Sequence, residues 1–253
     1  LCAVPASPEG AAHLARVAPF AVAASVDLAV DPRLAAGEPD RSSFAEALDF
    51  DRALPDLAVS RAAAGRLARE IETELGARAR VVVVSIGDSA PARTAARALV
   101  TATEVGVGLV DLAGPDASGV AGLAELIDGG VTFSEAVRHD PALDAWCLGG
   151  GDRPLDEADL VDPALAAVLD ACAAAWGGVV IAAGRLEAGE GQTRLFVGAD
   201  AVVLAATDRD DPRVVRVLDV FLDAGRPAWV LELSTDAEAD DALDDPRGWA
   251  AAA

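Results

Sequence analysis

The sequence predicts an α/β fold, a mostly parallel sheet flanked by helices, and three observations carry that expectation. Short aliphatic and β-branched runs recur along the chain, the valines at 81–84 being the purest. Such runs suit strands buried on both faces of a parallel sheet. Stretches with helical spacing of apolar residues stand between them, and this alternation specifies βαβ units. Finally, 53% of the 253 residues are hydrophobic while only 4% are aromatic, so the core is expected to be aliphatic and rich in small residues.

Residues 1–58, broken by Asp31-Pro32 and Gly37-Glu38-Pro39-Asp40, read as a linker-like arm or partial subdomain. The α/β domain is expected over 59–233. Its first helix spans 60–75, with Ser60 as N-cap and Ala64, Leu67, Ala68, Ile71 and Leu75 on one face. A strand at 81–84, a loop at 85–91 and a helix at 92–104 follow, then a second strand at 107–112. Residues 118–138 read as two short helical pieces broken at Gly129-Gly130, and 145–148 as a strand leading into the turn Gly149-Gly150-Gly151. A helix over 162–175 starts at Pro163, a favoured first-turn residue. The strands at 179–183, 202–206 and 228–233 complete the sheet, with a helix over 212–224 between the last two. The tail, 234–253, is acidic and expected to be mobile.

Composition removes several classes of function. The formal net charge of −22 disfavours nucleic acid and anionic membrane surfaces, both of which reward clustered Lys and Arg. All 20 basic residues are arginine, so chemistry that needs a lysine ammonium is excluded. Cys2, Cys147 and Cys172 form no CxxC and read as small apolar residues of a reducing compartment. His13 and His139 stand in no metal-ligand pattern, so no metal site is expected. No apolar run reaches the length of a membrane span, and direct membrane insertion is not expected. The chain begins at Leu1 without a methionine, as an excised domain or processed product would, which leaves room for a preceding membrane segment.

In a fold of this kind the loop after the first strand meets a helix N-terminus, a natural anion site. An ATPase places GxxxxGK[ST] there. This chain has Ser85-Ile86-Gly87-Asp88-Ser89-Ala90-Pro91-Ala92-Arg93-Thr94. Ala92 is expected in the lysine slot and Arg93 in the magnesium-hydroxyl slot, Pro91 lacks an N–H, and Asp88 puts negative charge where phosphate oxygens would lie. The strand at 179–183 has alanines where a magnesium-binding aspartate would stand. Asp111, at the end of the second strand, reads first as a turn residue. Gly87, Ser89, Arg93, Thr94 and Asp111 are therefore the candidates for a vestigial phosphate site. An unrelated chemistry at this sheet edge would draw on Asp88, Asp111 and Arg185, although no acid/base constellation favours it.

The order of these segments resembles the cytoplasmic domain of bacterial tyrosine kinases, MinD-like P-loop proteins of capsule and exopolysaccharide synthesis. The likeness runs over about 60–233. Leu109-Val110-Asp111-Leu112-Ala113 is similar to the family's Walker A′ strand with its second aspartate replaced. The stretch from Gly122-Leu123-Ala124-Glu125-Leu126 through Phe133-Ser134-Glu135-Ala136-Val137 resembles its most distinctive segment. Trp146-Cys147-Leu148-Gly149-Gly150-Gly151, the strand at 179–184 and Ala199-Asp200-Ala201-Val202-Val203-Leu204 match later strands and turns in order. Ala63, Arg66 and Arg69 resemble the oligomerisation motif ExxRxxR without its glutamate.

The resemblance implies a P-loop NTPase-like, MinD-like fold. The departures from it imply a catalytically inactive member: the Walker A lysine, the Walker B aspartate and every acceptor tyrosine are missing. No catalytic residue and no cofactor is expected; ATP or ADP with magnesium, if held, would not be hydrolysed. A non-hydrolysing nucleotide-binding module is the alternative, and an active ATPase or tyrosine kinase with an atypical phosphate loop is a further one. The implied role is a scaffold or regulatory domain of exopolysaccharide synthesis or export. Its partner would be a membrane polysaccharide co-polymerase or a paralogous kinase, with a homo-oligomer through Arg66 and Arg69 as a further expectation. Its place would be the cytoplasm, at the inner face of the plasma membrane, reached through a partner or a missing N-terminal membrane segment.

Overall fold

The structure, a computed structural model, describes residues 57–103, 106–114 and 121–234; most of the N-terminal arm and nearly all of the acidic tail lie outside these. Helix α1 (Arg61–Leu75) leads into strand β1 (Arg80–Ser85), helix α2 (Ala90–Ala102) and strand β2 (Gly108–Asp111). Two short helices, α3 (Leu123–Ile127) and α4 (Phe133–Ala136), precede the hairpin of β3 (Val137–Asp140) and β4 (Ala145–Leu148). Then come α5 (Glu157–Val161), α6 (Pro163–Trp176), β5 (Val179–Arg185), α7 (Glu190–Gly198), β6 (Ala201–Ala206), α8 (Pro212–Asp223) and β7 (Ala228–Glu232).

Among the described residues one seven-stranded sheet forms in the order β3-β4-β2-β5-β1-β6-β7. Every pairing is parallel except that of β3 with β4. The two-residue period of the strands divides the core. Val81, Val83, Leu109 and Val180 face α1 and α2, whereas Val82, Val84, Val110 and Ile181 face α6, α7 and α8. Both faces are covered at the centre of the sheet, which is why 81–84 carries no polar alternation: Val82, Val83 and Val84 are fully buried. Burying one such side chain contributes roughly 1.5–3 kcal/mol. On the second face Phe196 and Phe221 meet edge to face, with ring centroids 5.1 Å apart.

Helix starts follow the sequence. The Ser60 hydroxyl accepts from Ala63 N at 3.4 Å, Asp162 from Ala164 N at 2.7 Å and Asp211 from Arg213 N at 2.8 Å. Pro163 and Pro212 stand in the first turns behind the two aspartates. At the ends of the described domain Ala58 and Ser234 pair backbone to backbone, each N donating to the other's carbonyl at 2.9 Å.

Three expectations are corrected. The second helical piece within 118–138 stops at Ala136, and residues 137–140 are a strand, because Val137 and Arg138 pair with Leu148 and Cys147 of β4. Residues 118–120 of that stretch lie outside the described residues. The helices α5 and α7 have no counterpart in the sequence reading. The helix after the first loop begins at Ala90 rather than 92.

Candidate functional site

The loop 85–89 joins β1 to α2 at the C-terminal edge of the sheet, the edge where ligands bind in such folds. Ser85 is buried, and its hydroxyl donates to the Asp88 carbonyl and, at 3.4 Å, to that of Gly184. Gly87 turns the chain at φ 99°, a conformation open to glycine. The Asp88 carboxylate then accepts from Ala90 N at 3.0 Å. A negative charge of the chain itself thus sits on the first amide of α2, where the helix dipole favours an anion. Pro91 in the same turn offers no N–H.

Ser89 does not cap α2; its hydroxyl accepts from Arg185 N at 3.2 Å and ties the loop to the end of β5. Gly184, at φ 77°, makes that approach workable, since a Cβ there would lie 3.2 Å from Ser89 Oγ and 3.3 Å from Ala113 Cα. Counted from Gly87, Ala92 stands in the second-glycine place of GxxxxGK[ST], Arg93 in the lysine slot and Thr94 in the hydroxyl slot, one place later than expected, and Ala92 is fully buried in the core. Arg93 Nε lies 2.6 Å from Asp111 Oδ2. Its N–H is not aimed at the oxygen well enough for a hydrogen bond, so charge holds the pair. Asp111 Oδ1 accepts from Ala113 N at 3.0 Å, the turn role read from the sequence, and the ion pair is a second role that was not. Thr94 is half-buried on α2. Arg185 is bound by Glu187, with Nη2 to Oε1 at 2.5 Å.

The candidates therefore come together in part. Gly87, Ser89, Arg93 and Asp111 surround one edge of the sheet, but each polar group among them is already engaged by another group of the chain. Arg66 and Arg69 lie on α1, one half-buried and one exposed, while Ala63 at the missing-glutamate position is buried against the core.

Two features of this edge have no counterpart in the sequence reading. Glu125 Oε2 accepts from Gly122 N at 2.6 Å and Oε1 from Asp152 N at 3.1 Å. Burial alone would raise its pKa, but hydrogen bonds from Asp152 and from the Gly122 amide outweigh this and bring it to about 2. The amides of Leu123 and Ala124 donate to the carbonyls of Gly149 and Gly150 at 2.9 and 3.0 Å. The glycine turn thus packs backbone on backbone against the start of α3. The second feature is Gln192 of α7, buried, whose amide bridges Glu187 N and Arg185 O at the exit of β5. Its signal was masked by the glycines around it. Among the described residues no group of His, Cys, Asp and Glu converges as a metal site, and no helix is long and apolar enough to cross a membrane.

No family model and no curated protein matches the chain. Solved structures do. The kinase domain of VpsO superposes with TM-score 0.56 at 16% identity, over 68% of this chain and 93% of its own. The kinase domain of the Escherichia coli tyrosine kinase ETK gives 0.53 at 12%, over 68% and 76%. The chimerical protein CapA2B2 gives 0.53 at 15%, over 66% and 82%. The chain has the fold of these kinase domains. The α/β, P-loop NTPase-like architecture expected from the sequence is thus the observed one, and at these identities the likeness is one of fold.

Proposed function

We propose that this domain is a catalytically inactive relative of tyrosine-kinase P-loop domains, working as a scaffold or regulatory module in exopolysaccharide synthesis or export. The observation that carries this reading is the Asp88 carboxylate on Ala90 N. A phosphate approaching the same helix start would have to displace it and would then face it. Two like charges 4 Å apart repel by about 4 kcal/mol at the dielectric typical of a protein surface. The other groups add no compensation: Arg93 is tied to Asp111, Pro91 lacks a donor, and no lysine exists in the chain. At the end of β5, Ala182 and Ala183 stand where magnesium chemistry needs a carboxylate.

Such a domain acts through contacts. The partner we propose is a membrane polysaccharide co-polymerase, a paralogous kinase or a second copy of the chain, met in the cytoplasm at the inner face of the plasma membrane. The test is thermal unfolding of the purified protein with and without millimolar magnesium-ATP and magnesium-ADP. No shift is expected. A ligand present at a hundred times its dissociation constant stabilises by about 2.7 kcal/mol, a rise of roughly 5 °C or more for a domain of this size. Such a rise would overturn the inactive phosphate site and favour a nucleotide-binding module that uses Arg93 and Thr94.

A further inference from the structure

Strand β7 ends one side of the sheet, and among the described residues only β6 pairs along its length. Val202 N donates to Pro227 O and Leu233 N to Ala206 O, so the peptide groups at the odd positions of β7 turn to β6. Those of Ala228, Val230 and Glu232 turn outward, as the alternation of a strand requires. One face of this edge is closed: Trp229 packs with the core under α1, and its Nε1 donates to Glu70 Oε1 at 3.0 Å. The other face is open. Val215 and Leu222 of α8 are 44% and 43% exposed, two of the three large hydrophobic side chains exposed among the described residues. With Leu218 they stand at three- and four-residue spacing on one flank of the helix. In the right-handed crossover from β6 to β7 that flank looks past β7 to the outer edge. Val230 lies half-buried on the same face of the sheet.

The chain enters the domain at this edge. Ala58 takes the outward peptide group of Ser234, just beyond β7, each N donating to the other's carbonyl at 2.9 Å. Residues 1–56 precede that point, and the stretch nearest to it has apolar side chains in a spaced pattern. Ser43-Phe44-Ala45-Glu46 is the capping-box pattern that opens helices. Phe44, Ala47, Leu48 and Leu54 stand at helical spacing, and Pro55 closes the stretch. A helix over 44–54 is about 16 Å long, against about 10 Å from Val215 to Leu222 along α8. The three residues 55–57 reach about 10 Å when extended, enough to turn back from Ala58 onto the flank. So short a tether gives an effective concentration on the order of millimolar, which favours this segment over a second chain at micromolar concentration.

We propose that residues 44–54 dock as a helix on the apolar flank of α8 beside the open edge of β7, with Phe44, Leu48 and Leu54 covering Val215 and Leu222. In that seat the arm shields the outward peptide groups of β7 from pairing with a second chain, the hazard of any bare strand edge. The surface lies two strands from β1 and does not depend on whether the loop 85–89 holds a nucleotide.

The test is methyl NMR of the full chain labelled at leucine and valine, repeated on a mixture of labelled and unlabelled copies. Nuclear Overhauser contacts from Val215 and Leu222 to Leu48 and Leu54 are expected, and they arise within one copy. Contacts that arise only between copies make a second chain the occupant, and contacts to Leu243 make it the acidic tail. Either result overturns the proposal, as does the absence of any arm contact at Val215 and Leu222. A second measurement is limited trypsin digestion, followed by mass at the bonds after Arg41 and Arg52. Replacing both Val215→Ser and Leu222→Ser, with the melting transition checked, is expected to speed those cuts about tenfold by freeing the arm. Trp146→Ser, exposed at the other end of the sheet, is expected to leave them unchanged. Equal cleavage in the wild type and the double variant overturns the docking.

Discussion

Arg93 Nε stands 2.6 Å from Asp111 Oδ2, so a cation one turn into α2 is committed to the carboxylate that ends β2. The contact joins two elements, yet 41% and 21% of the side chains remain exposed. Pairs this open to solvent contribute about 0.2–1 kcal/mol, since water and salt screen them. Arg93→Ala and Asp111→Asn, alone and together, are expected to give a coupling below about 1 kcal/mol in urea denaturation; the asparagine keeps the acceptor for Ala113 N. A coupling near 3 kcal/mol would mean that the pair is desolvated and holds the sheet edge together.

Glu125 and Asp152 make a coupled pair of carboxyls whose protons belong to both. Glu125 is held at about 2, below the ordinary 4.5, and Asp152 is pushed up by the hydrogen bond and negative charge of Glu125. A carboxyl lowered by folding contributes stability that is present above its ordinary pKa and lost as pH falls toward the lowered one. Glu125→Gln is therefore expected to lower the melting temperature at pH 7 and to flatten the loss of stability between pH 4.5 and 2. Asp152 works in the opposite sense: its ionised form is the disfavoured one at neutral pH. Asp152→Asn is expected to raise the melting temperature at pH 7 and leave it unchanged at pH 3, where the wild-type carboxyl is protonated. Circular dichroism melts at the two pH values decide both signs.

Gly122 and Gly65 separate close approach from mere flexibility. A Cβ on Gly122 would lie 2.5 Å from both Gly149 O and Gly151 N, two backbone atoms that cannot move without breaking the turn. A Cβ on Gly65, inside α1, meets only Arg69 Nη1 at 3.5 Å. Gly122→Ala is expected to cost about 1–3 kcal/mol, the range for overpacking. Gly65→Ala is expected to stabilise by roughly 0.5–1 kcal/mol, since alanine loses less freedom in a helix. Urea denaturation of the two variants would refute this account if Gly122→Ala were the milder.

The fold was legible where burial on both sheet faces forced long aliphatic runs, as in β1, β5 and β6, and where Ser60, Asp162 and Asp211 capped the helices that follow them. It was illegible at β3. Val137, Arg138, His139 and Asp140 carry no strand pattern and become one only by pairing with β4, a tertiary contact that overrides local preference. Of the site, the missing lysine and the charge of Asp88 could be read directly. The inward direction of Ala92 and the union of Arg93 with Asp111 could not, because each depends on how α2 rotates against the sheet.

Gln192 shows what a polar residue in an unrecognised helix can hold. It is 6% exposed, its Nε2 donates to Arg185 O at 2.6 Å and Ala183 O at 3.4 Å, and its Oε1 accepts from Glu187 N at 2.8 Å. These bonds fix the exit of β5, whose Arg185 N in turn reaches Ser89 of the loop after β1. Gln192→Ala leaves Glu187 N and Arg185 O without this partner. An unsatisfied buried group costs about 1–3 kcal/mol, so a loss of roughly 2–4 kcal/mol is expected in urea denaturation. Gln192→Glu adds a sign. A glutamate there can donate to one of the two carbonyls, through its single O–H, only when protonated, and burial raises its pKa, so that bond is present at low pH and lost as pH rises through the raised value. Relative to wild type, this variant is expected to be less destabilised at pH 5 than at pH 7. A loss under about 0.5 kcal/mol for Gln192→Ala would mean that water replaces the amide freely and that the exit of β5 is held by other contacts.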